Sequence, residues 1–169
     1  MRVVLIGFMG AGKSTIGKPL ADKLGFDFIE MDALVLKQSH YNSITDIFTE
    51  KGEPFFRDLE TSVAKSLSKQ LNVVISTGGG VPCRKENMLA LKTAETLIVY
   101  LETSFEVVHA RVGNDSTRPL WRDISKAREL FNLRAPIYRN AADIVINSET
   151  PIDRVLTTIE AALQKRNDI

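Results

Sequence analysis

The chain opens on an apolar run, Val3-Val4-Leu5-Ile6, that leads straight into Gly7-Phe8-Met9-Gly10-Ala11-Gly12-Lys13-Ser14-Thr15. This stretch satisfies the pattern G-x-x-x-x-G-K-[ST], with Gly7, Gly12, Lys13 and Ser14 at the fixed positions. Each residue type has a physical reason. Glycines let the backbone turn tightly and aim successive N–H groups at phosphate oxygens. Lys13 can reach the β- and γ-phosphates of a nucleoside triphosphate, and the Ser14 hydroxyl can ligate Mg²⁺. The helix that must follow adds the positive end of its dipole. Strand, loop and helix are thus dictated together. Gly10, Ala11, Gly12, Lys13, Ser14 and Thr15 become the candidate nucleotide-binding residues.

Two plainer readings compete with this one. Arg2, the apolar residues 3–9 and the small Gly10-Ala11-Gly12 have the layout of a minimal signal peptide. The apolar segment is, however, at the bottom of the permitted length, and Lys13 follows it at once. A glycine turn in an ordinary core does not call for the Lys-Ser pair between a strand and a helix. Composition narrows the class further. A chain of 169 residues, 44% apolar and 25% charged, suits a single domain over 1–169 that buries its core without disulfides. Cys83 is the single cysteine, and His40 and His109 lie far apart, so no Cys/His zinc spacing exists and a reducing, cytoplasmic setting is expected. The net charge of +1 gives no bulk reason to expect a nucleic-acid or membrane partner. No apolar run approaches the ~20 residues needed to cross a bilayer.

Beyond the loop, short apolar runs alternate with amphipathic ones. Residues 3–6, 26–29, 73–76, 97–101 and 143–146 read as strands, mostly continuously apolar, as a parallel sheet buried on both faces requires. Leu59, Val63, Leu67 and Leu71 recur at helical spacing, as do Val155, Ile159 and Leu163, with Ile152 and Leu156 widening the second stripe. Thr103 to Glu106 fits a capping box, Thr150-Pro151 fits N-cap then N1, and Gly52 and Pro54 mark one helix ending and another beginning. The expected class is α/β with right-handed crossovers. Pro19 falls inside the first helix with no functional account, and the polar residues 112–124 form a candidate mobile loop.

A second set of residues suggests what receives the phosphate. The chain has no guanine-reading N-K-x-D segment, and the third strand ends in Thr77-Gly78-Gly79-Gly80 where an aspartate is more usual. Three glycines at the carboxyl edge of a sheet expose backbone N–H groups and admit a small ligand; a plain strand-to-helix turn rarely needs so many. After the second strand comes Glu30-Met31-Asp32. Alternation along an extended chain puts the two carboxylates on one side, one for Mg²⁺ and its waters and one for an acceptor hydroxyl. A helix N-cap at Asp32 is the plainer alternative. Arg57 sits beside two aromatics, Arg118 lies in the polar loop, and Arg134 precedes Pro136, which should kink its helix and free the arginine from a regular face. Guanidinium groups suit carboxylate and phosphate. Cys83 reads as a buried structural cysteine.

Taken together and in order, "GFMGAGKST", "EMD", "FFRDLE", "STGGG", "TRPL" and "RAPIY" resemble the shikimate kinase family over nearly the whole chain. The resemblance implies a three-layer P-loop kinase fold with a five-stranded parallel sheet in the order 2-3-1-4-5 and a mobile lid. It implies a P-loop at 7–15, an acceptor-binding region about 32–60 and the lid about 112–124. It also implies transfer of the ATP γ-phosphoryl group to the 3-hydroxyl of shikimate, in the route to chorismate and the aromatic amino acids, with Mg²⁺ as cofactor. A monomer is the expected working unit. By position, Asp32 contacts the acceptor hydroxyls as the base, and Arg57 and Arg134 hold its carboxylate. Gly78, Gly79 and Gly80 contact it through backbone, and Phe48 and Phe56 match apolar pocket positions. Lys13, Ser14 and Arg118 serve ATP and the transferring group. One departure stands out: Glu30 replaces the family's usual aspartate, so a water-mediated role at the metal is expected of it rather than direct ligation. Gluconate kinase, of the same fold, and a non-catalytic ATP-binding regulator are the alternatives.

Overall fold

The continuous apolar runs are explained by a sheet covered on both faces. In a computed structural model, which describes residues 1–112 and 123–167, five strands pair in parallel in the order β2-β3-β1-β4-β5. They are β1 (Arg2–Ile6), β2 (Asp27–Glu30), β3 (Val73–Ser76), β4 (Thr96–Glu102) and β5 (Ile144–Asn147). Each lies within a residue of its predicted limits. Register sets Val3 beside Val74 and Leu97, and Val4 beside Ile75 and Ile98. Because successive side chains point to opposite faces, Val4, Ile6, Ile75, Ile98 and Tyr100 enter one core. Val3, Leu5, Val74, Val99 and Leu101 enter another.

Helices α1 (Lys13–Leu24) and α7 (Ile152–Asn167) cover the second core, through Ile16, Leu20, Val155, Ile159 and Leu163. The first core is closed by α2 (Met31–Ser39), α3 (Ile44–Ser66), α4 (Lys85–Leu91), α5 (Phe105–Val112) and α6 (Ile124–Ala141). This is the expected three-layer α/β architecture. The acceptor and lid regions expected at 32–60 and 112–124 fall on α2–α3 and, for residues 113–122, outside the described residues.

Several helix boundaries depart from the sequence pattern, each for a visible reason. The Leu59–Leu71 stripe overruns its helix: α3 ends at Ser66, and Leu71 is exposed. Buried Arg2 stops it by donating Nη1 to the Leu67 carbonyl at 2.8 Å and Nη2 to that of Ser68. Ile152 likewise faces solvent rather than widening the α7 stripe. Thr103 is not a cap, since its Oγ1 pairs with Ser148 Oγ at 2.5 Å. Ser104 Oγ instead accepts from Val107 N, while Ser104 N donates to Glu149, not Glu106. At α7 the Thr150 hydroxyl turns back to Asn147, and the Pro151 carbonyl takes the first helical bonds from Arg154 and Val155.

Prolines 19, 54 and 136 all lie within helices. Gly52 is non-helical (φ 81°, ψ 170°) and makes the break expected there, with Pro54 opening the following stretch. Pro136 does not break α6. The carbonyls deprived of a partner belong to Thr15, Glu50 and Asn132, all on exposed residues, so water can take the missing bonds. Nothing in the structure gives Pro19 a functional part.

Candidate active site

The carboxyl edge of the sheet carries the loops that follow β1, β2 and β3, and there they enclose one cavity of about 340 Å³. Gly10, Gly12, Lys13, Ser14 and Thr15 line one side, and Glu30, Asp32, Gly78 and Gly79 the other. Gly12 is the N-cap of α1 at φ 95°, a conformation that favours glycine, and no side chain caps the helix. The opening amides of α1 are therefore presented to the cavity, as anion binding requires. Lys13 Nζ lies across the loop, donating to the carbonyls of Gly7 at 2.8 Å and Phe8 at 2.9 Å. Ala11 faces away: it is buried, its N–H goes to Phe8 and its carbonyl accepts from Ser148 Oγ. Arg111, unnoticed in the sequence, reaches the loop from α5 and donates to the Gly10 carbonyl at 3.1 Å.

Glu30 closes β2 and α2 starts at Met31, so Asp32 stands in the first helical turn rather than on an extended strand. The N-cap position belongs to Glu30, without a side-chain cap bond, and not to Asp32. Both carboxylates reach the same cavity all the same. Ser14 Oγ donates to Glu30 Oε1, so the longer glutamate side chain spans directly to the hydroxyl. This donor set is hard oxygen beside a phosphate cradle, which fits Mg²⁺ held by few protein ligands plus nucleotide oxygens. Among the described residues no cluster of three or more His, Cys, Asp or Glu could hold a metal by itself.

The glycine run draws the second charge cluster together. A methyl group on Gly78 would stand 2.7 Å from Glu60 Oε1 and 2.9 Å from Asp32 Oδ1. On Gly80 it would overlap the guanidinium of Arg57 and lie 2.8 Å from Nη2. On Gly79 it would sit 3.5 Å from Arg134 Nη1 and 3.6 Å from the Tyr138 hydroxyl, which donates to the Gly79 carbonyl at 2.6 Å. Side chains are absent from this run because four charged groups already occupy its flanks. Arg57 Nη1 pairs with Glu60 Oε2 at 2.6 Å and Nη2 with Glu53 Oε1 at 2.9 Å. Its guanidinium also lies 5.1 Å from the Phe56 ring, which packs on Phe48 with centroids 4.9 Å apart. Arg134 is 8% exposed on the inward face of an unbroken α6, so Pro136 does not free it as expected; helix packing delivers it.

Glu60 is the residue the sequence reading missed. It is 1% exposed, and its Oε1 has no hydrogen-bond partner. Burial, with Asp32 nearby, raises its carboxyl above the usual range despite Arg57 and Arg134. Burial alone would lower the Arg57 guanidinium, but Glu60 and Glu53 more than reverse that. The signal was present as the i, i+3 spacing of Arg57 and Glu60, which puts both on one helix face. Tyr138 escaped for a different reason: only α6 packing brings it to Gly79. Cys83 is exposed, on the 3-10 turn Val81–Cys83, and not a buried structural cysteine. Arg118 lies outside the described residues.

The chain as a whole has known relatives in sequence and in fold. The sequence model of the shikimate kinase family matches residues 9–164. The chain belongs to the shikimate kinase family. A shikimate kinase of Persephonella marina is 45% identical over 148 residues, spanning 87% of this chain and 88% of that one. The crystal structure of shikimate kinase from Aquifex aeolicus superposes with a TM-score of 0.82 at 38% identity, covering 99% of this chain and 98% of that one. Shikimate kinase from Acinetobacter baumannii, solved in complex with shikimate, gives a TM-score of 0.87 at 32% identity, covering 99% and 94%. Shikimate kinases are ATP-dependent phosphotransferases, and this chain shares their fold from end to end.

Proposed function

We propose that the protein transfers the γ-phosphoryl group of ATP to the 3-hydroxyl of shikimate, giving shikimate 3-phosphate and ADP. One observation carries the reading. A single cavity joins the phosphate loop to Asp32 and the glycine run, with Arg57 and Arg134 behind that run. Donor and acceptor sites are halves of one space, as direct transfer demands.

Lys13 and the first amides of α1 hold the phosphates, and Asp32 orients the acceptor hydroxyl and takes its proton. Arg57 and Arg134 clamp the acceptor carboxylate, with Phe48 and Phe56 behind it. Glu60 fixes the Arg57 fork, so the guanidinium is aimed before the acceptor arrives. Arg118, in the lid at 112–124, is assigned to the transferring phosphoryl group on the family resemblance. Mg²⁺ is the cofactor: Ser14 would hold it, with Glu30 behind the hydroxyl, and it would neutralise charge between the phosphates. Glu30 already touches Ser14, which supports a supporting place at the metal rather than direct ligation.

The enzyme works as a monomeric single domain, a reading supported by both halves of the site coming from one chain. ATP and shikimate are its partners. No helix among the described residues is long and apolar enough to cross a membrane. A reducing, cytoplasmic setting is part of the proposal, in keeping with the chain's single cysteine, Cys83. Placement in the route to chorismate and the aromatic amino acids follows from the product. The test is ADP release from Mg-ATP with shikimate, gluconate, AMP or no acceptor. Stimulation by shikimate alone is expected. Equal rates without an acceptor would discard the kinase reading, and preference for gluconate would replace it.

A further inference from the structure

The acceptor half of the site contains a buried phenol, Tyr138, that neither binds nor transfers a phosphate. It is 1% exposed and lies in the last turn of α6, four residues after Arg134. That spacing puts both side chains on one helix face, and it holds because α6 runs unbroken through Pro136. The Tyr138 ring packs on Tyr100 with centroids 5.4 Å apart, and its hydroxyl donates to the Gly79 carbonyl at 2.6 Å. Burial, offset only in part by Arg134, pushes this phenol above its usual range, so it keeps its proton and remains a donor.

The bond fixes the one glycine carbonyl that its own turn does not. Those of Gly78 and Gly80 are held locally, by Val81 N at 3.1 Å and Cys83 N at 3.0 Å. The Gly79 carbonyl is held instead from α6, 59 residues away in the chain. With the three carbonyls engaged, the amides of Gly78, Gly79 and Gly80 donate to no acceptor among the described residues. The Gly79 carbonyl and the Gly80 N–H are opposite ends of one planar peptide unit. Neither flanking residue has a Cβ, so steric resistance to a flip of that unit is small. Arg57 lies against Gly80 and Arg134 against Gly79, so an acceptor carboxylate clamped by the two arginines sits beside this peptide. A flip would present it with a carbonyl oxygen in place of a donor.

We infer that Tyr138 is a positioning residue for the acceptor: it locks the Gly79–Gly80 peptide so that the Gly80 N–H is left to donate to the acceptor carboxylate. This rests on the shikimate kinase reading of the site and adds to it a residue that acts through the backbone without touching the substrate.

The test compares full-chain wild type with Tyr138→Phe, which keeps the ring and removes only the donor. Tyr100→Phe, which removes the neighbouring phenol hydroxyl, is the control. With Mg-ATP and shikimate, Tyr138→Phe should raise the shikimate KM roughly three- to tenfold, with kcat and the ATP KM within about twofold of wild type. Tyr100→Phe should leave both KM values unchanged. In ¹⁵N NMR of the same chains, shikimate should shift the Gly80 amide in wild type and markedly less in Tyr138→Phe. An unchanged shikimate KM in Tyr138→Phe, equal rises in both KM values, the same effect from Tyr100→Phe, or equal Gly80 shifts would each overturn the inference. A wild type that shikimate neither stimulates nor shifts would instead defeat the kinase reading, and the inference with it.

Discussion

Replacing Gly80 with alanine tests how tightly the acceptor cluster is built. The new methyl would overlap the guanidinium carbon and Nη1 of Arg57 and stand 2.8 Å from Nη2. Carbon and nitrogen need about 3.5 Å, so the fork must retreat by about 1 Å or more. Its bond to Glu60 is 2.6 Å long, and a retreat of that size takes the pair beyond hydrogen-bonding range. Glu60, 1% exposed and with Oε1 already unpartnered, would then be buried with neither oxygen paired. Breaking a buried pair on one side costs about 3–5 kcal/mol. Arg57 keeps Glu53 and some water contact, which brings the expectation down to about 2–3 kcal/mol, or a Tm lower by roughly 5–10 °C. Steady-state kinetics should show the shikimate KM rising at least about tenfold with the ATP KM little changed, since Lys13 and α1 are untouched. On an Arg57→Ala background the same glycine change should add almost nothing, because its target is gone. Wild-type KM and Tm in Gly80→Ala, or full additivity in the double variant, would refute the reasoning.

Other expectations follow from the same geometry. Asp32→Asn should lower kcat by a factor of about 10² or more while leaving ATP affinity nearly intact; equal losses in both would assign Asp32 a structural part. Glu30→Gln should raise the Mg²⁺ concentration needed for half-maximal rate several-fold, and Ser14→Ala should raise it further; a titration with the same midpoint in both variants and wild type would remove the pair from the metal site. Asp143 offers a pH test away from the site. Burial alone would raise its carboxyl, but the Ile98 amide, Lys92 and Arg166 together hold it below the usual 3.8. Its stabilisation is therefore present above that value and lost as pH falls through the lower folded value. In urea unfolding, the advantage of wild type over Asp143→Asn should be constant near pH 6 and shrink below pH ~3.8. A difference that stays flat to pH 2.5 would contradict the assignment.

How far the sequence carried these conclusions differs between fold and site. The sheet was legible because strands buried on both faces write themselves as unbroken apolar runs, and the phosphate loop because its glycines and lysine have few other uses. Helix ends were harder. The Leu59–Leu71 periodicity continued past the point where Arg2, from a distant strand, captures the last carbonyls. Pro136 predicts a break in α6, but the carbonyl it orphans belongs to exposed Asn132, where water suffices. At the site, Asp32, Arg57 and the glycine run could be chosen by residue type. Glu60 could not, because a glutamate three residues after an arginine usually sits at the surface. Only packing of α3 against the glycine run buries it. Tyr138 depends in the same way on where α6 lies.

The central claim is that one cavity brings an ATP phosphate to a particular hydroxyl of shikimate. ³¹P NMR of the full chain incubated with Mg-ATP and shikimate tests this directly. The expected spectrum shows ADP growing in step with one phosphomonoester, whose phosphorus couples to the proton on carbon 3. A phosphoester on another carbon would contradict the account, and so would ADP with inorganic phosphate and no ester.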